Sequence, residues 1–182
     1  VALGTVLLGV APAGATVTTT TGAAQVVTPP ASVAPGALES DTAVRVINEG
    51  SLTLSASMTV SITDSSGNVT TKTMSAGACL QSHLLHFDAV GTSTAPSLSG
   101  TASFTQPVLA VAPLAPLLDL TDKGTFPFGL PGTTYPAGNL TRGIEPRIPV
   151  INPNGDLLML SNPNTIGFTF RTDGFDQARV FT

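Results

Sequence analysis

Hydrophobic and polar residues alternate along most of the segment from Val44 to Ile62. The odd positions hold mainly Ser and Thr, together with Arg45 and Glu49. A period of two predicts β-strands with one buried face and one wet face. Residues 48–50 interrupt the alternation and predict a turn or a bulge. The hydrophobic even positions are Val44, Val46, Leu52, Leu54, Ala56, Met58, Val60 and Ile62.

A hairpin is predicted directly after this segment. Asp64-Ser-Ser-Gly-Asn68 has the composition of a tight turn, and residues 69–74 supply the return strand. Only residues 114–121 suggest a helix. Many short strands between clusters of Gly, Pro, Asn and Asp predict an all-β, antiparallel β-sandwich that is jelly-roll-like. The further strand candidates are residues 83–87, 98–104, 108–111, 157–160, 166–171 and 178–181.

Three regions divide the chain. Residues 1–15 are apolar and end in Ala13-Gly-Ala15, so we expect a signal peptide remnant and export to the cell surface or the extracellular space. A transmembrane helix is the alternative, but the run is far shorter than the roughly 20 residues needed to span. Residues 16–41 are rich in Thr, Ala and Pro and predict a disordered linker or a loosely attached first strand. Residues 42–182 form the sandwich domain.

Composition excludes some partners. Charged residues make up 10% of the chain, and the seven Lys and Arg residues are scattered, so no basic stripe exists for nucleic acid. Trp is absent and Tyr135 is the only Tyr, which leaves few aromatic platforms for stacking on sugar rings. The single Cys excludes an intramolecular disulfide.

One short segment gathers the reactive side chains. Residues 79–91 contain the only Cys, both His residues and an Asp. On a strand, His83 and His86 point to opposite faces, whereas His86 and Asp88 share one face. A zinc site would lack further His or Cys ligands. We therefore expect His86 and Asp88 to form a structural pair, and a hydrolase that uses both residues is the alternative.

Calcium is the more plausible ion for an exported β-protein of this kind. Asp119 with Asp122, and Asp173 with Asp176, offer oxygen ligands near turns. Asp is also a preferred turn residue, so ordinary turn chemistry is the competing interpretation. The long segment from Thr121 to Pro153 is crowded with Gly, Pro and Thr, and it is a candidate binding loop, for example for a glycan.

Several motifs resemble those of secreted bacterial β-sandwich domains in proteins that carry a PEP-CTERM sorting tail. The resemblance covers the chain from Ser82 to Thr182 and implies an exported domain without assigned catalysis, associated with the envelope or the extracellular matrix. The matching segments are residues 82–91, 98–111, 131–136, 142–143 and 175–182.

The leading functional hypothesis is an exported, non-enzymatic structural or adhesive module without a cofactor. The alternatives are a glycan-binding or calcium-binding module and, third, the hydrolase with His86 and Asp88. Flat strands faced with Thr and Ser also suggest self-association by strand exchange between subunits.

Overall fold

The computed structural model describes residues 14–91, 97–144, 155–170 and 174–182. Among these residues it contains eleven strands and one short helix, which confirms the all-β prediction. The helix, α1, is not long enough or apolar enough to cross a membrane. The elements are β1 Val17–Gly22, β2 Ala24–Val27, β3 Val44–Thr53, β4 Met58–Thr63, β5 Val69–Met74, β6 Cys79–Asp88, β7 Leu98–Phe104, β8 Ala110–Ala112, α1 Ala115–Asp122, β9 Leu157–Asn162, β10 Thr165–Phe170 and β11 Phe175–Phe181.

Two sheets pack face to face, as the sandwich prediction requires. The small sheet has the order β1-β7-β10-β9, and the large sheet has the order β2-β3-β6-β11-β8-β4-β5. Neighbouring strands are antiparallel except for β2 and β3, which are parallel. The inner core between the sheets is apolar and includes Val44, Val46, Leu85, Phe87, Ala102, Phe104, Ile166, Phe168, Phe170, Ala178 and Val180.

A third layer covers the outer face of the large sheet. It consists of α1 and residues 124–144, and we call it the cover. Its side chains Leu118, Phe126, Phe128 and Tyr135 pack on the sheet in an outer core. The sheet contributes Ile47, Leu54, Met58, Val60, Leu80, Leu84, Ala110, Ala112 and Phe181. The central strands β6, β8 and β11 of the large sheet are therefore buried on both faces, whereas the edge strand β5 is largely exposed.

The bulge predicted at residues 48–50 is present. The register of β3 against β6 shifts between Asn48 and Ser51. The shift moves the even positions from one face to the other, because Val46 lies in the inner core and Leu54 in the outer core. The expectation of one wet face is wrong here: Glu49 is only 7% exposed, because the cover lies over it.

Residues 16–41 are built into the sandwich. They supply β1 to the small sheet and β2 to the large sheet. The chain changes sheets at Gly22, which has a φ of +62°, and a side chain there would collide with the carbonyl oxygen of Ser99. Val33 then joins the outer core, and its amide donates to the carbonyl of Thr134 in the cover. Residues 1–13, which hold most of the expected signal peptide remnant, lie outside the described residues.

Candidate functional site

Arg179 lies on β11 between the large sheet and the cover, and it is completely buried. All five N–H donors of its guanidinium have an acceptor. Nε and one Nη2 hydrogen bind the two carboxylate oxygens of Glu49 at 2.6 and 2.8 Å. The other Nη2 hydrogen binds Asp122 at 2.8 Å. Nη1 binds the hydroxyl of Thr121 at 2.5 Å and the carbonyl of Leu118 at 3.3 Å.

Arg142 belongs to the cover and is also completely buried. Its Nε and Nη2 donate to Oε1 of Gln177 at 3.0 and 2.7 Å. Nη1 donates to Asp119 at 2.8 Å and to Asp122 at 2.5 Å, while Nη2 also reaches Asp122 at 3.3 Å. This guanidinium has five hydrogen bonds as well, so neither arginine keeps a free donor for a ligand.

The carboxylates of Glu49 and Asp122 neutralise the charges of the two arginines. Glu49 also accepts hydrogen bonds from Ser82 at 2.5 Å and from the hydroxyl of Tyr135 at 2.7 Å. Burial lowers the pKa of Arg179, but the charges of Glu49 and Asp122 raise it more, so it stays above its ordinary value. Burial, and then the charge of Glu49, raises the pKa of Tyr135. These groups, with Asp119, Thr121 and Gln177, form what we call the arginine network.

The arginine network connects the large sheet to the cover. Gln177 and Arg179 share the outer face of β11, while Ala178 and Val180 enter the inner core, as the alternation of this strand predicts. The end of α1 supplies Thr121 and Asp122, and the cation of Arg179 binds the helical carbonyl of Leu118, where the helix dipole favours positive charge. The network ties the cover to the sheet through charge-assisted hydrogen bonds.

His86 is buried on β6 beside the arginine network. Oε1 of Gln177 accepts from Arg142, so the side-chain nitrogen of Gln177 is the donor on its other side. This nitrogen donates to the carbonyl of Val33 at 2.8 Å and to Nδ1 of His86 at 2.9 Å. Nδ1 of His86 is therefore an acceptor, and the ring proton lies on Nε2 of His86. This Nε2 has no hydrogen-bond partner in the part of the chain that the structure describes. Burial, helped by Arg45 and Arg142, lowers the pKa of His86 to about 4.

The expected pairing of His86 with Asp88 has no hydrogen bond among the described residues. Asp88 instead accepts from the amide of Gly36 at 2.6 Å. Burial raises the pKa of the Asp88 carboxyl. His83 lies on the opposite face of β6, as predicted, where its ring packs against Phe104 with centroids 4.5 Å apart.

The calcium candidates meet different partners. Asp119 and Asp122 both bind Arg142, so a cation already occupies their oxygens. Asp176 is buried on β11, and Asp173 lies outside the described residues. Within the described parts of the chain, no group of three or more His, Cys, Asp and Glu side chains is placed to hold a metal ion.

A cleft of about 560 Å³ opens beside Cys79, which is exposed. Gln81, Gln106, Pro107, Leu109 and Thr182 also line it. His83 does not pair with the thiol, because its ring nitrogens contact Asn48 at 2.8 Å and Thr182 at 3.2 Å. Neither histidine is therefore placed to act as a general base for Cys79.

The outer face of the small sheet carries hydroxyl groups and no charge, with the apolar side chains of Leu157 and Met159 at its β9 edge. Its four strands contain no Asp, Glu, Lys or Arg. We call the outward-facing Ser and Thr residues the hydroxyl face. Neighbouring strands join their hydroxyls in three hydrogen-bonded pairs, which are Thr21 with Thr101 at 2.8 Å, Ser99 with Thr169 at 2.9 Å and Ser103 with Thr165 at 2.8 Å.

Protein-family models, curated proteins and solved structures contain no match to this chain.

The sequence patterns do not predict the arginine network. Its one usable signal is that Gln177 and Arg179 stand on a strand whose other face is apolar, in a chain with only seven Lys and Arg residues. The predicted loop from Thr121 to Pro153 is described as far as residue 144, and this part forms most of the cover. Its remainder lies outside the described residues.

Proposed function

We propose that this chain is an exported, non-enzymatic β-sandwich that serves as a structural or adhesive module at a cell surface or in an extracellular matrix. The hydroxyl face is the observation that carries the proposal. A surface built for solubility carries about 25–35% charged residues, yet the four strands of this face have none. An uncharged face rich in hydroxyl groups suits contact with a neutral, hydroxyl-rich polymer, because no charge must lose its water on contact.

The arrangement of the ionisable residues also supports a role without catalysis. Glu49, Asp122, Arg142 and Arg179 are bound to each other inside the fold. Both histidines are buried, and burial lowers the pKa of each to about 4. A hydrolase with His86 and Asp88 would need a substrate to reach a completely buried ring.

Glycan binding is the second candidate, and the hydroxyl face favours it over calcium binding. The same face would then bind one defined neutral glycan rather than a polymer surface in general. Competition separates the two functions: a soluble oligosaccharide that releases the protein from one polymer only indicates a glycan-binding module.

The experiment measures retention of the full chain on insoluble neutral polysaccharide particles. We expect retention of the wild type and its loss in the variant with Ser99→Glu and Thr101→Glu. The variant with Ser65→Glu and Ser66→Glu in the exposed β4–β5 turn is the matched control and should be retained. No retention of the wild type, or turnover of ester or glycoside probes that His86→Ala abolishes, would overturn the proposal.

A further inference from the structure

The side chain of Gln177 joins three parts of the molecule at one amide group. Its Oε1 accepts from Nε and Nη2 of Arg142 in the cover, at 3.0 and 2.7 Å. Its Nε2 donates to the carbonyl of Val33 at 2.8 Å and to Nδ1 of His86 on β6 at 2.9 Å. Val33 in turn donates its backbone amide to Thr134 of the cover. Both connections from Gln177 to the cover therefore depend on the orientation of one amide.

Only one orientation of this amide satisfies its neighbours. With its oxygen and nitrogen exchanged, it would direct N–H groups at the guanidinium of Arg142, which has only donors, and its oxygen at the carbonyl of Val33, which has only acceptors. The neutral ring of His86 fits the observed orientation because its Nδ1 accepts. A ring with a proton on each nitrogen would set an N–H of His86 against the N–H of Gln177, and no rotation of the amide could relieve this contact.

The charged groups that face His86 also oppose a second proton. Arg45 is its register partner on β3, and Arg142 approaches from the cover; both cations, like burial, lower the pKa of His86. The other ionisable groups nearby have partners of their own: Asp88 of β6 binds Gly36, Arg179 of β11 binds Glu49 and Asp122, and Glu39 of the segment after Val33 binds Gly91. The observed contacts and a proton on Nδ1 of His86 therefore exclude each other.

We propose that the Gln177 amide is an acid-sensitive latch: a proton on Nδ1 of His86 ends its hydrogen bonds, and the end of the cover at residues 142–144 opens locally while the two sheets stay folded. This opening takes up one proton, because His86 gains access to water while His83 stays buried on the other face of β6. Unfolding of the whole chain takes up a proton at each ring. The latch goes beyond the proposed function and does not depend on it.

Hydrogen exchange of the full chain, followed by NMR at pH 7 and pH 5, tests the latch. The reporters are the backbone amides of Gln177 and Ile144, which donate to the carbonyls of Arg142 and Pro113. Their opening equilibrium constant, corrected for the intrinsic exchange rate, should rise about twentyfold from pH 7 to pH 5. The reason is that the pKa of His86 changes on opening from about 4 to its ordinary value of 6.5, so the open form binds the proton first.

Urea separates this local opening from unfolding of the whole chain. The amide of Phe104 in the small sheet, which donates to the carbonyl of Asn164, is the reference. Opening at Gln177 and Ile144 should depend only weakly on urea and should need less free energy than opening at Phe104, because it exposes little surface.

Three variants assign the proton to His86. His86→Asn removes the titrating ring and should abolish the twentyfold change, although it keeps the carboxylates that bind Arg142. His83→Asn is the matched control, since it removes the other buried ring of the same strand, and it should retain the change. Gln177→Glu offers an acceptor to both Arg142 and a protonated His86, so acid should no longer open the cover. Circular dichroism shows that each variant is folded.

Two results would overturn the latch. If the amides of Gln177 and Ile144 exchange only together with Phe104 and with the same urea dependence, the end of the cover does not open by itself. If the twentyfold change persists in His86→Asn or in Gln177→Glu, other acidic groups control the opening.

Discussion

Arg142 and Gln177 hydrogen bond to each other through both their side chains and their backbones. Oε1 of Gln177 accepts from Nε and Nη2 of Arg142, and the backbone amide of Gln177 donates to the carbonyl of Arg142 at 2.7 Å. The two residues belong to different layers, the cover and the large sheet. Their contact fixes the orientation of the side-chain amide of Gln177 and, through it, the tautomer of His86.

The first prediction concerns the tautomer of His86. Because Nδ1 accepts from Gln177, the neutral ring should carry its proton on Nε2, and ¹⁵N–¹H correlation spectra near pH 7 should show this pattern. Gln177→Glu removes the donor to Nδ1 and adds a carboxylate, so the pKa of His86 should rise from about 4. A proton on Nδ1 in the wild type would contradict the assignment.

Acid should destabilise the fold through both histidines. Their pKa is about 4 in the folded chain and about 6.5 when unfolded, so the unfolded chain binds more protons between these values. The stabilisation from each neutral ring is fully present above pH 6.5 and is lost as the pH falls toward 4. As the pH falls through about 5, the free energy of unfolding should fall by roughly 2 kcal/mol per pH unit, because each of the two rings contributes somewhat less than one full proton.

Urea unfolding at several pH values between 7 and 4.5 measures this slope. His83→Asn and His86→Asn should each remove about half of it, since each deletes one titrating ring. The protonation of Asp88 adds an opposite contribution, because its pKa is raised in the folded chain, and both variants retain it. An unchanged slope in both variants would show that other groups control the acid response.

Replacing Arg179 should lower the free energy of unfolding strongly. Arg179→Met leaves the Glu49 carboxylate buried without a cation and removes one of the two cations that bind Asp122. Removing one partner of a buried ion pair lowers the free energy of unfolding by about 3–5 kcal/mol. Chemical denaturation measures the loss. Lys123→Met is the matched control at an exposed position just after α1; it removes a cation 6.0 Å from the centre of the Tyr135 ring and should change stability by less than about 1 kcal/mol.

A double-mutant cycle separates charge from packing at the same site. Adding Glu49→Gln to Arg179→Met removes one of the unpaired carboxylates, so the double variant should be more stable than the sum of the single effects predicts. Strict additivity would mean that the Glu49–Arg179 contact contributes no coupling energy.

Calcium should leave the melting temperature unchanged. Arg142 binds Asp119 and Asp122, which are the two described acids of the first candidate site. A bound ion would stabilise the folded chain in proportion to its affinity. Thermal melting in calcium and in chelator makes the comparison, and a calcium-dependent rise that Asp173→Asn and Asp176→Asn abolish would indicate a site at the second pair of acids.

The strands were predictable because their signals are local. The alternation along β4 and β11, the Asp64–Asn68 turn with Gly67 at a φ of +80°, and the helix at residues 114–121 depend on residues close together in the chain. The arginine network was not predictable, since Glu49 and Arg179 are 130 residues apart and meet only through the pairing of β3, β6 and β11. The outer core depends on the same long-range folding, because residues 124–144 have no regular period.

The salt dependence of retention on a neutral polysaccharide film tests the central claim most directly. Raising the salt from about 0.01 M to about 1 M shortens the screening length from about 30 Å to about 3 Å and removes attraction between exposed charges. Contact through the uncharged hydroxyl face predicts that the same amount of this 182-residue chain is retained at both salt concentrations. Release of the chain at high salt would show that charged residues elsewhere on the surface carry the adhesion, and it would contradict the account.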